Sequence, residues 1–240
     1  MKRGAGSGLY PGEVPPSALL SSAPRVWPPD RLVLVDAATD HELLDQWRAG
    51  NSAAGQALFA RHFDSIYGFF ASKCSGETDE LVQSTFLACV RSRDAFRKEA
   101  SFRTYLFTIA RHELYRYLRQ RRRDGDRLDF ATTSIADLET TPGTRLARNE
   151  DHRRLLEALR GLPLEQQNLL ELHYWEEMEI GELAEVFAAP AATIRTRLHR
   201  ARRALRDLMA RTAAAPAHAL ATLETLDTWA RDVGQRRDAS

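Results

Sequence analysis

The chain has 240 residues, 43% of them hydrophobic, which is enough for two small domains or one larger one. No apolar run approaches the roughly 20 residues that a bilayer span requires, and Pro and Gly break every apolar stretch near the amino terminus, so membrane insertion and a secretory signal are excluded and a cytoplasmic protein is expected. The formal net charge of +1 excludes a uniformly basic or acidic chain and directs attention to how the charges are distributed.

Residues 1–38 are rich in Pro, Gly and Ser and read as a disordered leader with a short apolar patch at Leu32–Val35. Thr39 and Glu42 have the spacing of a capping box, which predicts a helix start. The first helix then carries Leu43, Leu44 and Trp47 and stops near Gly50 and Asn51. A second helix, about 52–72, shows Leu58, Phe59, Phe63, Ile66, Tyr67 and Phe70 at helical spacing. Thr78 is placed to cap a third helix with Leu81, Val82, Phe86, Leu87 and Val90. After a polar loop, Ser92–Ser101, a long fourth helix runs from Phe102 to about Arg122. These four helices, with no period-two runs, predict an all-α bundle over 39–123.

Residues 124–150 lack sustained periodicity and read as an extended, flexible linker. A second helical domain, 151–211, opens with Leu155, Leu156 and Leu159 and continues through Pro163, tolerated at a helix start, to about Trp175. Glu179–Leu208 then reads as helix, tight turn, helix. The first helix buries Ile180, Leu183, Ala184 and Phe187, and the second, after Pro190, carries an apolar stripe of Ile194, Leu198, Ala201, Leu205 and Leu208. At about 100° per residue, Arg195, Thr196, His199, Arg200, Arg202, Arg203 and Arg206 fall away from that stripe. This is how a helix-turn-helix presents residues to the major groove, where Arg pairs with guanine or phosphate and Thr and His read base edges. Residues 212–240 form a carboxy-terminal extension in which Leu220, Leu223, Leu226 and Trp229 suggest a short amphipathic helix.

The charges fall in blocks. Arg91–Arg127 holds twelve basic residues against five acidic ones, and Ala191–Arg211 holds seven Arg against one acid, Asp207. Between them, Glu150–Glu185 carries ten acids against three Arg. Two separated basic blocks imply two anion-binding surfaces. The fourth helix is expected to bury Phe102, Leu106, Ile109 and Ala110 and to present Arg103, Thr104, Arg111 and Arg119. Tyr105, Phe107, Tyr115 and Tyr117 interleave with these cations, an arrangement suited to stacking on unpaired bases; Phe107 and Tyr117 are equally well placed to be core. Two cysteines, Cys74 and Cys89, build no disulfide framework and read as free thiols. Metal-ligand spacings, a P-loop and a nucleophile elbow are all missing, so no enzyme activity, metal or cofactor is expected.

The order of these motifs resembles the extracytoplasmic-function sigma factors of bacterial RNA polymerase. Asp79–Phe86 is similar to the family's region 2.2, Ser101–Arg111 to regions 2.3 and 2.4, and Leu162–Gln167 with Thr193–Arg202 to region 4. The resemblance covers about residues 40–210. It implies a non-enzymatic specificity subunit that joins core polymerase, through its clamp helices and flap, to promoter DNA, with an anti-sigma factor as a further candidate partner. Asp79, Glu80 and Gln83 would dock on polymerase. Arg97, Arg103, Thr104, Tyr105, Arg111, His112 and Arg119 would contact the melted −10 element. Thr193, Arg195, Thr196, His199, Arg200 and Arg203 would read the −35 duplex. The loop Ser92–Ser101 would capture a flipped base, and the linker acids Asp126, Asp129, Asp137 and Glu139 would lie in the RNA channel. The chain departs from the family pattern at Tyr105 (usually Trp), His112 (usually Asn), Arg116 (near a usual acid) and Ala188 (usually Gly). A positive φ at Ala188 would cost on the order of 1 kcal/mol. The competing reading is a stand-alone helix-turn-helix regulator whose helical first domain senses a ligand, which leaves the Asp79–Phe86 motif without a use.

Overall fold

The computed structural model describes residues 38–74, 76–121, 128–138 and 150–212. The leader up to Ala37, the apolar patch in it, and the extension beyond Thr212 lie outside the described residues. Among the described residues every regular element is a helix, apart from one isolated bridge between Ser134 and Pro163.

The first helix, α1 (Asp40–Arg48), begins where the capping box predicts: the Glu42 amide donates to the Thr39 hydroxyl at 3.3 Å, and the Thr39 amide donates to the Glu42 carboxylate at 2.7 Å. Such a cap contributes about 1 kcal/mol. Gly50, at φ 98°, turns the chain, and Asn51 caps α2 (Ser52–Ala71) by accepting from Ala53 and Ala54. Trp47 lies flat against Gly55, where an added Cβ would come within 2.8 Å of the indole. A glycine is thus needed inside α2 for the two helices to close.

In α3 (Thr78–Ser92) the predicted cap is corrected. Thr78 is the first helical residue, and its hydroxyl donates back to the Cys74 carbonyl at 3.3 Å; the N-cap position is Glu77, with no side-chain cap. A short 3-10 turn over Arg93–Ala95 leads toward α4 (Phe102–Arg121). Helix α2 packs against α1, α3 and α4. The core is Leu43, Leu44, Leu58, Ile66, Phe69, Phe70, Phe102, Leu106, Phe107 and Leu114. Phe107 is therefore core. Phe63, Tyr67, Leu87 and Val90 are not: each is 38–47% exposed.

The middle of the joining segment is packed rather than extended. Phe130 and Ile135 are buried, Phe130 stacks on Tyr115 with centroids 4.1 Å apart, and a single turn, α5 (Ile135–Leu138), follows. This strap also caps the next domain. The first amides of α7 (Leu164–Tyr174) donate to it, Leu164 to the Thr133 carbonyl at 2.9 Å and Glu165 to the Phe130 carbonyl at 3.1 Å. Two of the four amides left open at a helix start are satisfied in this way. The strap lacked periodicity because isolated side chains anchor it, not a face. Asp126 and Glu139 lie outside the described residues, whereas Asp137 caps its own turn through Ser134.

The second domain consists of α6 (Glu150–Arg160), α7, α8 (Ile180–Val186) and α9 (Ala191–Thr212). Ile194, Leu198, Ala201 and Leu205 of α9 are buried, packing toward α6, α7 and α8. The turn between α8 and α9 does require positive φ at Ala188, which sits at 48°.

Candidate nucleic-acid and polymerase interfaces

Helix α9 follows from its sequence almost directly. Its apolar stripe is buried from Ile194 to Leu205 and half-buried at Leu208, and Arg195, Thr196, His199, Arg200 and Arg203 are all exposed, with Thr193 half-buried at the amino-terminal end. Among the described residues no hydrogen bond or ion pair engages Arg195, Arg200 or Arg203, and the Thr196 hydroxyl donates only to the Ala192 carbonyl at 3.1 Å. Two arginines of this helix are taken. Arg202 donates to the Tyr174 hydroxyl at 2.6 Å, anchoring α9 to α7, and Arg197 lies 3.6 Å from Glu165. What remains is one turn-spaced row of cations and hydroxyl and imidazole groups, open to a duplex groove and fixed by a buried stripe behind it.

Helix α4 divides its candidate residues between two faces. Tyr105, His112 and Arg119 lie on a half-exposed to exposed stripe with Arg116, spaced 7, 4 and 3 residues. Tyr105 stacks on Phe96 (4.3 Å, 18°), and its hydroxyl donates to Ser92 at 2.5 Å; burial raises its pKa. This braces the Ser92–Ser101 loop, in which Arg97 is exposed, against the helix. Partial desolvation and then the neighbouring Arg111 hold His112 below its ordinary 6.5, favouring the neutral ring at pH 7.

The other face turns inward. Thr104 was expected to be presented to solvent and is instead 1% exposed. Its hydroxyl donates to Glu182 at 3.2 Å. Arg103 donates to the Glu176 carbonyl at 2.6 Å and to Glu182 at 3.3 Å, and Arg111 donates to the Val186 carbonyl at 3.1 Å and lies 3.7 Å from Glu165. Tyr115 is buried beneath Phe130, and Tyr117 is half-buried beside Arg121. Sequence reading missed Glu165 and Glu182 as partners of α4. The signal was present in the acidic block 150–185, whose ten acids complement the excess charge of 91–127.

On α3, Asp79, Glu80 and Gln83 are exposed together, and the stripe continues through Leu87 and Val90. Phe63 and Tyr67 of α2 extend this apolar area, with Phe63 stacked 6.4 Å from Phe86. The surface is thus an acidic and amide-bearing helix start running into an exposed apolar patch. Cys74 and Cys89 are buried free thiols, and burial raises Cys89 to about 12, which leaves it unreactive as a thiolate. Among the described residues no group of His, Cys, Asp and Glu has the geometry of a metal site, and no helix is long and apolar enough to cross a membrane.

Comparison with known proteins finds a match for each of the two helical domains. Residues 58–124 match sigma-70 region 2, and residues 152–205 match sigma-70 region 4. The ECF RNA polymerase sigma-E factor of Haemophilus influenzae is 25% identical over 185 residues, covering 72% of this chain and 97% of that protein. RNA polymerase sigma factor CarQ of Myxococcus xanthus is 32% identical over 175 residues, covering 69% of this chain and 95% of CarQ. Among solved structures, CnrH in complex with the cytosolic domain of CnrY shares the fold with a TM-score of 0.55 at 24% identity, over 72% of this chain and 99% of that one. The sigma factor RpoE of Bartonella quintana, in complex with the anti-sigma factor NepR, gives 0.50 at 24% identity, over 63% and 93%. Two sigma-70 regions in chain order, and a relative 32% identical along nearly its whole length, show that this chain belongs to the extracytoplasmic-function sigma factors, the subunits that direct bacterial RNA polymerase to its promoters.

Proposed function

We propose that this sigma factor, acting in the cytoplasm and without catalysis of its own, divides its work among three surfaces. The α3 row Asp79, Glu80 and Gln83 docks on the clamp helices of core polymerase, with Leu87 and Val90 supplying the apolar area that polar contacts alone lack. Helix α9 enters the major groove of the −35 element with Arg195, Thr196, His199, Arg200 and Arg203, and Thr193 sits at its leading end. Helix α4 and the loop before it take the melted −10 strand through Arg97, Arg103, Thr104, Tyr105, Arg111, His112 and Arg119. The Tyr105–Phe96 stack supplies an aromatic platform where the family usually has Trp. An anti-sigma factor, of the kind bound to CnrH and to the Bartonella RpoE, is a candidate regulator.

The observation that carries this reading is the α9 row Arg195, Arg200 and Arg203, unpaired among the described residues and fixed by the buried Ile194, Leu198, Ala201 and Leu205 on a helix-turn-helix. Run-off transcription with purified core polymerase tests it, after sequencing of the transcripts made by the reconstituted holoenzyme has identified promoters. Combined Asp79→Ala and Gln83→Ala should reduce co-purification with core by about tenfold, as expected for losing two interface contacts of roughly 0.7 kcal/mol each. Unchanged co-purification would remove these residues from the docking surface.

A further inference from the structure

Past its 3-10 turn at Arg93–Ala95, the loop Ser92–Ser101 follows no helical ladder, so its backbone carbonyls need other partners. Helix α1, which lies 45–59 residues earlier in the chain, supplies them. The Arg48 guanidinium donates to the Arg93 carbonyl from Nε at 3.2 Å and from Nη2 at 2.5 Å. Its Nη2 also donates to the Phe96 carbonyl at 2.5 Å. Arg93 is the C-cap of α3, so this cation sits at the negative end of that helix. His41 Nε2 lies 3.3 Å from the Ala100 carbonyl, and Lys98 Nζ lies 2.5 Å from the Asp45 carboxylate. In return, Arg93 donates to the Trp47 carbonyl at 3.3 Å, with its guanidinium 5.0 Å from the centre of the Trp47 ring.

These tethers hold a conformation that the loop would not keep alone. Lys98 sits at φ 61°, in the left-handed region, which residues with a Cβ hold only where their surroundings over-determine it. The brace is itself rooted, because Leu43, Leu44 and Trp47 of α1 are buried in the core of the domain. On the opposite side Phe96 stacks on Tyr105 of α4. With three carbonyls and the Lys98 ammonium taken by α1, the side chains of Arg97 and Glu99 are left exposed.

We propose that α1 preorganises the base-capturing loop, and that Arg48, which bridges two of its carbonyls, is the positioning residue for base selection at the −10 element. The inference rests on the reading of Ser92–Ser101 as the site of the flipped base. Arg48 acts through the loop and not on the base. It keeps the loop shaped before the strand arrives, so that capture, which already includes unstacking the base, need not also order the loop. The role calls for a guanidinium: its planar fork reaches two acceptors in fixed directions, whereas an ammonium is a point charge on a flexible stem.

The test uses reconstituted holoenzyme and fluorescent single strands that span the −10 element of a promoter found by transcript sequencing. Every base is placed in turn at every position, and the ratio of affinities gives a preference at each. Wild type should show one strongly preferred position, that of the captured base. Arg48→Ala should lower the ratio there about tenfold, as for a loop whose competent fraction has fallen to a tenth. Ratios at other positions, affinity for −35 duplex and affinity for core should stay within about twofold, since those contacts are distant and independent. Arg48→Lys keeps the charge but loses the fork and should fall about threefold. Asp45→Asn breaks a more exposed tether and should fall about twofold. A merely structural role would instead weaken all positions and all bases alike, in step with the loss of Tm. That pattern, or an unchanged ratio in both Arg48→Ala and Asp45→Asn, would overturn the proposal. If Arg48→Ala loses its helical circular dichroism, Arg48→Lys and Asp45→Asn decide by the same ratio. Arg97→Ala combined with Glu99→Ala tests the underlying reading: if every ratio is then unchanged, the loop reads no base and the proposal falls with it. If that pair alters the ratio and Arg48→Ala does not, the loop reads the base without the brace.

Discussion

Helices α4 and α9 begin from the same kind of sequence, an arginine-rich helix with an apolar stripe, and end in opposite states. On α9 one face is buried against α6, α7 and α8, and Arg195, Arg200 and Arg203 opposite it are exposed. Helix α4 is covered on two sides, by α2 and α3 on one and by α8 on the other, so Arg103 and Arg111 lie inside a second interface. A cationic helix is therefore not yet a nucleic-acid surface. Whether it is open depends on where the compensating acids fold, and here they fold on α7 and α8, over α4, with Glu165 also reaching Arg197 of α9.

The largest effect should come from stripping the open helix. Arg195→Ala, Arg200→Ala and Arg203→Ala together should lower promoter affinity of the holoenzyme by a factor on the order of 10³, with each contact worth about 1–3 kcal/mol and losses less than additive. The slope of log affinity against log salt should fall by about 2–3. Because none of the three is buried or paired among the described residues, thermal stability should stay within about 0.5 kcal/mol of wild type. An unchanged salt slope would mean that α9 does not lie on the duplex.

The closed helix should respond to pH where the open one does not. Burial pushes the Glu182 carboxyl up, but the Glu179 amide, Arg103 and Ser101 outweigh it, so Glu182 titrates below its ordinary 4.5. A carboxyl lowered by folding stabilises the closed state fully above 4.5, and that contribution is lost as pH falls through the lowered value. Above pH 5, wild type should therefore be more closed than Glu182→Gln by scattering. Once pH has fallen through that lowered value the two should converge, since both then lack the charge; Asp40, also lowered by His62 and Arg61 against its burial, titrates equally in both. A difference that persists in acid would show that Glu182 acts through shape and not through charge.

Much of this architecture was legible one helix at a time. The Thr39 cap, the Gly50–Asn51 break and the Ile194–Leu205 stripe are local, and local periodicity and cap chemistry encode them. What was not legible depends on partners distant in sequence. Periodicity counted Phe63, Tyr67, Leu87 and Val90 as apolar, but it does not say whether the surface they face belongs to the same chain. Phe69 was overlooked because α2 is buried over a wide arc, and Thr104 was turned outward because its partner Glu182 lies 78 residues away. The Lys73–Glu171 pair spans 98 residues, and no motif marks it.

The smallest expected effect sharpens the comparison at its hinge. Ala188 holds a left-handed conformation, φ 48°, in the four-residue turn, Phe187–Pro190, that sets α9 against α8. For an L-residue with a Cβ this conformation costs about 1 kcal/mol, and glycine adopts it freely at the expense of more entropy in the unfolded chain. The two terms oppose each other, so Ala188→Gly should raise stability by about 0.5 kcal/mol, a shift of roughly 1–2 °C in Tm for a chain of this size. Ala188 is exposed, so the change removes no packed contact. Promoter affinity should be unchanged, because the buried stripe, and not the turn residue, fixes the direction of α9. A variant that is no more stable but binds duplex DNA more weakly would reverse that assignment. The turn, rather than Ile194, Leu198, Ala201 and Leu205, would then aim the open helix.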